Sequence, residues 1–335
     1  MRWQRFKSVL RARDREFIRD RSALAWNILF PLFIVIGFAY AFTGNQLEQY
    51  KVAVIGNTHN STLAFLSTEY LQLIKTPRED METAINKVQR HQLDMLIDPR
   101  QKRYWVNDSS PDGYMLEKVL AGTGGESYQK QSVKDEQIRY VDWLIPGVLG
   151  MNMMFSALFG VGYVIVRYRK NGVLKRLRAT PLSALEFLSA QIVSRLWLIM
   201  AITIVVYAGC HLLIGFAMYG NYLSLLLVYT LGAFAMISMG LIVAARVKSE
   251  EMAGGLLNML SWPMMFLSGV WFSLEGLHPL VQKLALIFPL THITQAARVI
   301  MIDGAGLADI WPNLLALCLM SIVFLLLGVF LFRWE

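Results

Sequence analysis

The chain has 335 residues and a net charge of +8, and it is 55% hydrophobic but only 17% charged. Soluble domains carry roughly 25% charged residues; here the shortfall falls in long charge-free blocks with the charges gathered between them, which excludes one large soluble core and reads as membrane spans. The basic excess borders the apolar blocks and forms no basic helix interleaved with aromatics, so it suits anionic headgroups and membrane orientation, not nucleic acid.

Residues 1–21 disperse their apolar side chains, with no central run and no small-residue cleavage site, so they do not read as a signal peptide. Trp3, Phe6, Leu10 and Phe17 fall on one helical stripe, and eight basic residues lie between Arg2 and Arg21. That pattern predicts an amphipathic helix in the headgroup layer, its arginines toward anionic lipid. No charge occurs from Ser22 to Leu47, which places a first span near 23–42, with Pro31 as a kink.

Residues 44–140 change character, with 12 basic and 13 acidic residues. Short strands are predicted at 51–56, 94–99 and 103–108, the last two joined by a turn at 99–101. Helical periodicity is read over 62–75 and 79–90, and 122–131 (GTGGESYQKQ) reads as a loop leading back to the membrane. The expectation is a small α/β domain.

A second span is expected near 143–166, followed by the basic run RYRKNGVLKRLR. The next fifty residues, Leu196 to Ala245, are uncharged. That is too long for one helix, so they divide into a third span (187–213) and a fourth (222–244) around Gly220–Asn221. A polar link at 246–251 leads to a fifth span at 252–271, containing Pro263. Residues 273–304, broken by Pro279 and Pro289, are expected as two short helices at or dipping into the outer interface. The sixth span is 310–332. Arg195 is expected to snorkel to the inner interface. Cys210 and Cys318 both lie in apolar blocks and read as small buried hydrophobes; no CxxC or zinc spacing occurs.

Six spans put both termini on one side. If that side is the cytoplasm, the N-terminal segment supplies eight basic residues to it and the 167–178 loop six. The short outer segments then supply only Lys283 and Arg298, which satisfies the positive-inside rule. The twelve basic residues of the long domain do not count against this, because long domains translocate largely regardless of charge. Residues 44–140 are therefore expected to be extracytoplasmic.

No Walker A, GxSxG or HExxH motif occurs, and no paired carboxylates lie within a span. The most informative segment is RYRKNGVLKRLRATPLSALEF at 167–187. There a glycine, a basic helical turn and Ala-Thr-Pro-Leu-Ser suggest a short interfacial helix ended by Thr180–Pro181. Taken alone, these residues also fit a Lys/Arg-rich orientation anchor.

Gly172, Val173, Arg176, Leu177, Ala179, Thr180, Pro181, Leu182 and Ser183 resemble the coupling-helix region of type-2 ATP-binding-cassette (ABC-2) exporter permeases, Gly-x-Leu/Val-x-Arg-Leu-x-Ala-Thr-Pro-Leu-Ser. A second match, in 268–298, comprises Ser268, Gly269, Phe272, Pro289, Leu290, Thr291, His292 and Arg298. The chain departs from the family where Arg169, Lys170 and Lys175 stand in place of common acidic residues, and where Ser273 stands in place of a common proline.

The resemblance implies an all-α polytopic membrane protein with an inserted α/β extracytoplasmic domain, in three parts. Residues 1–43 are the interfacial helix and first span, 44–140 the domain, and 141–335 spans two to six with coupling loop 167–187 and re-entrant segment 273–304. It implies a permease that exports an amphiphilic or hydrophobic cargo (drug, lipid or lipid-linked glycan) from a bacterial inner membrane, with both termini cytoplasmic. The chain would not be an enzyme by itself and would bind no cofactor. ATP and Mg would sit on two copies of a partner ATPase, and a second permease chain, identical or closely related, would complete the complex. A periplasmic adaptor stays open, as do sodium export and, from the residues alone, a membrane sensor.

Site roles follow the same resemblance. Gly172, Arg176, Leu177, Ala179, Thr180 and Pro181 would couple to the ATPase. Asn152, Met153 and Phe155 of the second span, with Asn258, Met259 and Trp262 of the fifth, would line the pathway; ordinary helix packing with Met as filler is the alternative. Pro289, His292 and Arg298 would form an outer gate or an interfacial anchor.

Overall fold

The computed structural model describes every residue except 1, 42–49, 57–63, 90–92, 109, 134–138, 217, 275–277, 333 and 335. The chain divides into two compact units, Phe42–Tyr140 and the remainder.

The smaller unit is built on a five-stranded mixed sheet in the order β2-β1-β3-β4-β5. Its strands are β1 (Tyr50–Ile55), β2 (Leu71–Thr76), β3 (Met95–Asp98), β4 (Arg103–Asn107) and β5 (Gln129–Val133). β1 runs parallel to β2 and β3, β3 is antiparallel to β4, and β4 is parallel to β5. The central strands are apolar at successive positions because both faces are covered. On one face Val52, Val54, Met95, Ile97 and Val106 pack with Phe65 and with Leu116 and Leu120 of one helix. On the other, Ala53, Ile55, Leu96 and Trp105 pack with Ala84 and Val88 of a second helix.

The first of these helices, Pro111–Leu120, was not expected from the sequence, although Ser110 caps it by accepting from Gly113 N and Pro111 opens it. Two readings of this region are corrected. Of the expected helix over 62–75, residues 62 and 63 lie outside the described residues, and the rest holds a short turn (Ala64–Ser67) and then strand β2, because pairing with β1 along its whole length outweighs the local periodicity. The expected loop at 122–131 already enters β5, whose residues QKQSV carry no apolar alternation to announce a strand. β5 is held instead through Lys130, which bridges Glu117 (2.7 Å) and Asp108 (3.0 Å). Tyr104 Oη donates to Glu117 (3.0 Å), and burial, with that hydrogen bond, pushes its phenol up to about 12, so it remains a donor at neutral pH.

The larger unit is helical. In chain order, with the two helices just described numbered as α3 (Met81–Gln89) and α4 (Pro111–Leu120), it comprises α1 (Arg2–Arg19), α2 (Arg21–Ala41), α5 (Tyr140–Ala157), α6 (Val164–Lys170), α7 (Val173–Arg178), α8 (Ala184–Ile214), α9 (Tyr222–Arg246), α10 (Glu250–Leu267), α11 (Pro279–Ala285), α12 (Pro289–Asp303) and α13 (Leu307–Leu331). A π-type turn, Leu158–Tyr163, joins α5 to α6 within one 31-residue helix. Among the described residues, five helices can cross a membrane by length and composition: α2, α5–α6, α8, α9 and α13. They become six if the bent pair α11–α12, which turns by 96°, counts as one span. α10, the expected fifth span, is not among them, because its 18 residues begin with Glu250 and Glu251 and include Asn258.

α9 and α5–α6 form the interior. Gly162 and Gly240 let their backbones approach: a Cβ on Gly162 would lie 3.1 Å from Gly240 O. α12 is buried along most of its length. It packs inside the unit, and with α11 it gives the two helices expected in 273–304, broken at Pro279 and Pro289 and bent by 96° as a broken span or a re-entrant segment would be. Cys210 is buried as expected, whereas Cys318 is exposed on α13.

Gly113 makes the smaller unit testable. A Cβ there would overlap Val106 Cγ2 and come within 3.2 Å of Asn107 O. Gly113→Val should destabilise the packing of α4 on β4 by roughly 1–3 kcal/mol. Hydrogen exchange on the full chain should show faster exchange at 103–107 and 111–120 with α9 amides unchanged.

Candidate functional site

The 167–187 loop is a helix–turn–helix–turn. α6 ends at Lys170, and Gly172 takes a left-handed conformation (φ +69°) that a side chain would disfavour, reversing the chain into α7. Leu174 is the buried anchor of α7, while Lys175, Arg176, Arg178, Ala179, Thr180 and Pro181 are exposed and Leu177 is half-buried. Thr180 Oγ1 donates to Leu177 O (2.6 Å), closing the end of the helix. A reciprocal cap then starts α8. Ser183 Oγ accepts from Glu186 N (3.2 Å), and Glu186 Oε2 accepts from Ser183 N (2.8 Å). All six expected coupling residues thus fall on one short segment, α7 and its flanks, with an exposed cationic tip.

The base of the loop is fastened to its neighbours. Arg169 donates to the carbonyls of Ala244 (2.8 Å), Val247 (2.5 Å) and Ala245 (3.1 Å). These carbonyls end α9, where helix geometry leaves acceptors without intrahelical donors and the macrodipole is negative. Arg169, a departure from the pattern of similar chains, is here a helix C-cap. Tyr163 Oη donates to Glu250 (2.6 Å), and Lys170 lies 3.6 Å from both Glu250 and Glu251. The acidic start of α10 is therefore tied to the end of α6.

α1 corrects the expectation that its arginines face lipid. Arg13 is only 7% exposed and turns inward. It pairs with Glu16 (2.8 Å) and donates to Gly160 O (2.8 Å) and Tyr168 Oη (3.2 Å). Glu16 also accepts from Arg167 (2.8 Å) and from Tyr168 Oη. Asp14 accepts from Ser194 Oγ and from Trp197 Nε1 (3.1 Å) on α8. Lys7, Arg11, Arg15 and Arg19 keep the outward face. Half-burial alone would raise the Glu16 carboxyl, but the Tyr168 hydrogen bond and the charges of Arg13 and Arg167 override it and hold the group below the usual carboxylate range. Arg195 does not snorkel. It is 6% exposed, donates through Nε (2.7 Å) and Nη2 to Ser156 O, and is covered by the Phe17 ring at 4.8 Å. Sequence reasoning missed Arg13, Asp14, Glu16 and Tyr168; a lone Arg195 beside charge-free residues was the signal available.

The expected pathway residues separate. Asn152 and Met153 are buried within the chain and Phe155 is half-buried. Asn258 is exposed on α10, as are Met259 (76%) and Trp262 (52%). The single chain thus does not bring the two groups to a common wall. The expected gate residues converge on backbone groups. Arg298 donates to Trp143 O (3.2 Å) and Gly269 O (2.8 Å) and stacks over the Trp143 ring at 3.6 Å. His292 Nε2 lies 2.9 Å from Leu286 O, an obligate acceptor, so that nitrogen carries a hydrogen; Nδ1 lies 2.9 Å from Asn313 Oδ1. Pro289 opens α12, and Thr291 and Thr294 bond to Ser268 Oγ (3.0 Å) and O (2.7 Å). The Ser268–Gly269 corner and the start of α12 are therefore one hydrogen-bonded block.

Residues 21–330 match the ABC-2 family transporter protein profile. The chain is 27% identical over 188 residues to the inner membrane transport permease YhhJ of Escherichia coli (strain K12), an alignment covering 54% of this chain and 49% of that one. It is 27% identical over 198 residues to Nodulation protein J of Sinorhizobium fredii (strain NBRC 101917 / NGR234), covering 57% and 73% respectively. The chain therefore spans about half the length of the first of these relatives.

Arg169→Ala should strip the end of α9 of three donor contacts and lower the Tm of the detergent-solubilised chain, with an underlying loss of roughly 1–3 kcal/mol. Arg169→Lys should fall between, since an ammonium lacks the planar fork. Glu16 gives a pH signature. Its folded-state pKa is depressed, so its contribution is complete above the ordinary carboxylate value and disappears as pH falls through the folded value. Exchange protection of α1 amides should fall across that acidic window, and Glu16→Gln should remove the step.

Proposed function

The chain belongs to the ABC-2 family of transporter proteins, and we propose that it is the membrane subunit of an ATP-driven exporter, with loop 167–187 seated on a separate ATPase. As a multi-pass membrane transport permease it contributes the pathway; ATP and Mg are bound by the partner, present in two copies. A second permease chain faces the first. Both termini and the loop lie in the cytoplasm of a bacterial inner membrane, and the Phe42–Tyr140 unit lies outside. The cargo is amphiphilic or hydrophobic.

The observation that carries this reading is the construction of the loop. Its tip (Lys175, Arg176, Ala179, Thr180, Pro181) is exposed, whereas its base is fixed by Leu174, by the Arg169 cap on α9 and by the Ser183–Glu186 box. A projecting element that is rigid at its root transmits displacement; a flexible anchor would absorb it. To move a two-state pathway from 1:99 to 99:1 the ATPase must favour one state by about 5.5 kcal/mol, through differential affinity for ATP. The loop is the route by which that difference reaches the spans. Outward exposure of Met259 and Trp262 on α10 supports a wall completed by the second permease chain.

Leu177→Asp should uncouple the complex. In reconstituted vesicles ATP hydrolysis should persist while transport falls at least about tenfold, with membrane insertion intact. Unchanged coupling would overturn the assignment of the loop. Pull-down of the ATPase, lost on scrambling 172–183, is the independent check.

A further inference from the structure

The π-type turn Leu158–Tyr163 interrupts the second apolar helix in its interior. Such a turn inserts extra backbone, so carbonyls in the preceding turn lose their regular i→i+4 donors. In hydrocarbon those acceptors need replacements. Two carbonyls, one just before the turn and one inside it, take side-chain donors from two other helices. Arg195 of α8 donates twice to Ser156 O, and Arg13 of α1 donates to Gly160 O at 2.8 Å. Asn27 of α2 accepts from the Ser156 hydroxyl. The fit is specific, because a Cβ on Gly160 would overlap the guanidinium of Arg195.

The arrangement is costly in isolation. Two cationic side chains, 7% and 6% exposed, lie close together, and no described carboxylate pairs with Arg195. Buried guanidinium groups with so little charge compensation are not a route to stability, since an unbroken α-helix would need neither. Arg13 and Glu16 also belong to the cluster that holds Arg167 and Tyr168, at the root of the 167–187 loop. One end of the cluster is therefore at the loop and the other is on the carbonyls of the turn. Beyond the turn, one to two helical turns toward α5, lie Asn152 and Met153.

We propose that Arg13 and Arg195 are positioning residues for transport: they hold the π-turn of the second span open and link its geometry to α1 and the loop, so that displacement of the loop re-registers α5. The inference rests on the exporter reading only for its direction of use; that the arginines hold the turn stands on the chain alone. The turn is bistable in principle, since a π-turn can migrate along a helix by exchanging one acceptor at a time. Two guanidinium forks are suited to follow such a shift, because each offers several donors in a fixed plane.

Hydrogen exchange decides it in two arms. In the chain alone, Arg195→Gln with Arg13→Gln should speed exchange of the 158–164 amides about tenfold. Gly160→Ala should do the same by expelling a guanidinium that is still present, and Arg195→Lys should recover part of the loss. Unchanged exchange in the double variant and in Gly160→Ala overturns the proposal. In the reconstituted permease–ATPase complex, vanadate trapping should alter exchange at both 173–183 and 144–157 in the wild type. In Arg195→Gln it should still alter 173–183, at a basal ATPase rate within about twofold of wild type, but no longer 144–157. A preserved response at 144–157 overturns the linkage. If the wild-type loop does not respond at all, the exporter reading is at fault, and the first arm still decides whether the arginines hold the turn.

Discussion

A backbone carbonyl or amide without a partner is expensive in hydrocarbon, and that cost organises the larger unit. Regular helices meet it internally, so attention falls on the places where helices stop, bend or bulge. Several such places are met by side chains, some local and some from elsewhere in the chain. Arg169 closes the end of α9, Arg13 and Arg195 serve the π-turn, and Arg298 serves Trp143 and Gly269, where φ is +69°. His292 and Thr291 perform the same service at the turn between α11 and α12. Arginines of the larger unit thus serve two ends: some keep an outward basic face on α1, and others turn inward onto backbone carbonyls at irregular places.

That division bears on transport. Irregular backbone is where a packed helical bundle has more than one acceptable arrangement, whereas straight, well-packed helix has one. In this chain the irregular places lie next to the exposed loop at one end and around the buried α12 at the other. They are joined by the α5–α6 helix and α9, which Gly162 and Gly240 bring together. On the proposed coupling, a displacement at the loop would meet a stiff axis with adjustable joints.

The apolar blocks were legible because hydrophobicity over about 20 residues is a collective signal that no single side chain can spoil. α2, α8, α9 and α13 lie within a few residues of their expected bounds for that reason. The loop motif was legible because Gly172, Pro181 and the Ser183–Glu186 pair each have a local conformational meaning. The failures concern partners remote in sequence. Strand β2 depends on pairing with β1 and β5 on pairing with β4, and neither edge strand carries the alternation that would mark it. Arg13 looked like any other cation on an amphipathic helix, because its acceptor lies 147 residues away and is a carbonyl common to every residue. The burial of α12 was hidden by the same cause: His292 and its threonines read as polar until their acceptors are known. Asn152 and Asn258 were singled out alike by type, yet one is interior and the other exposed, a distinction that tertiary packing alone makes.

The hydrogen bonds of α1 also set a timetable for biogenesis. Asp14 waits for Ser194, 180 residues further along the chain. At roughly 5–20 residues per second that is an interval of about 10–40 s during translation. Through that interval the first helix lacks its contacts on α8, and the inward-facing Arg13 and Glu16 stay without their distant partners until Gly160, Arg167 and Tyr168 of the second apolar helix have been made. The amphipathic character of 2–19 suits this waiting state, since a helix with a basic face can rest on the membrane surface without inserting. Its docking then requires that the second and third apolar helices are both in place.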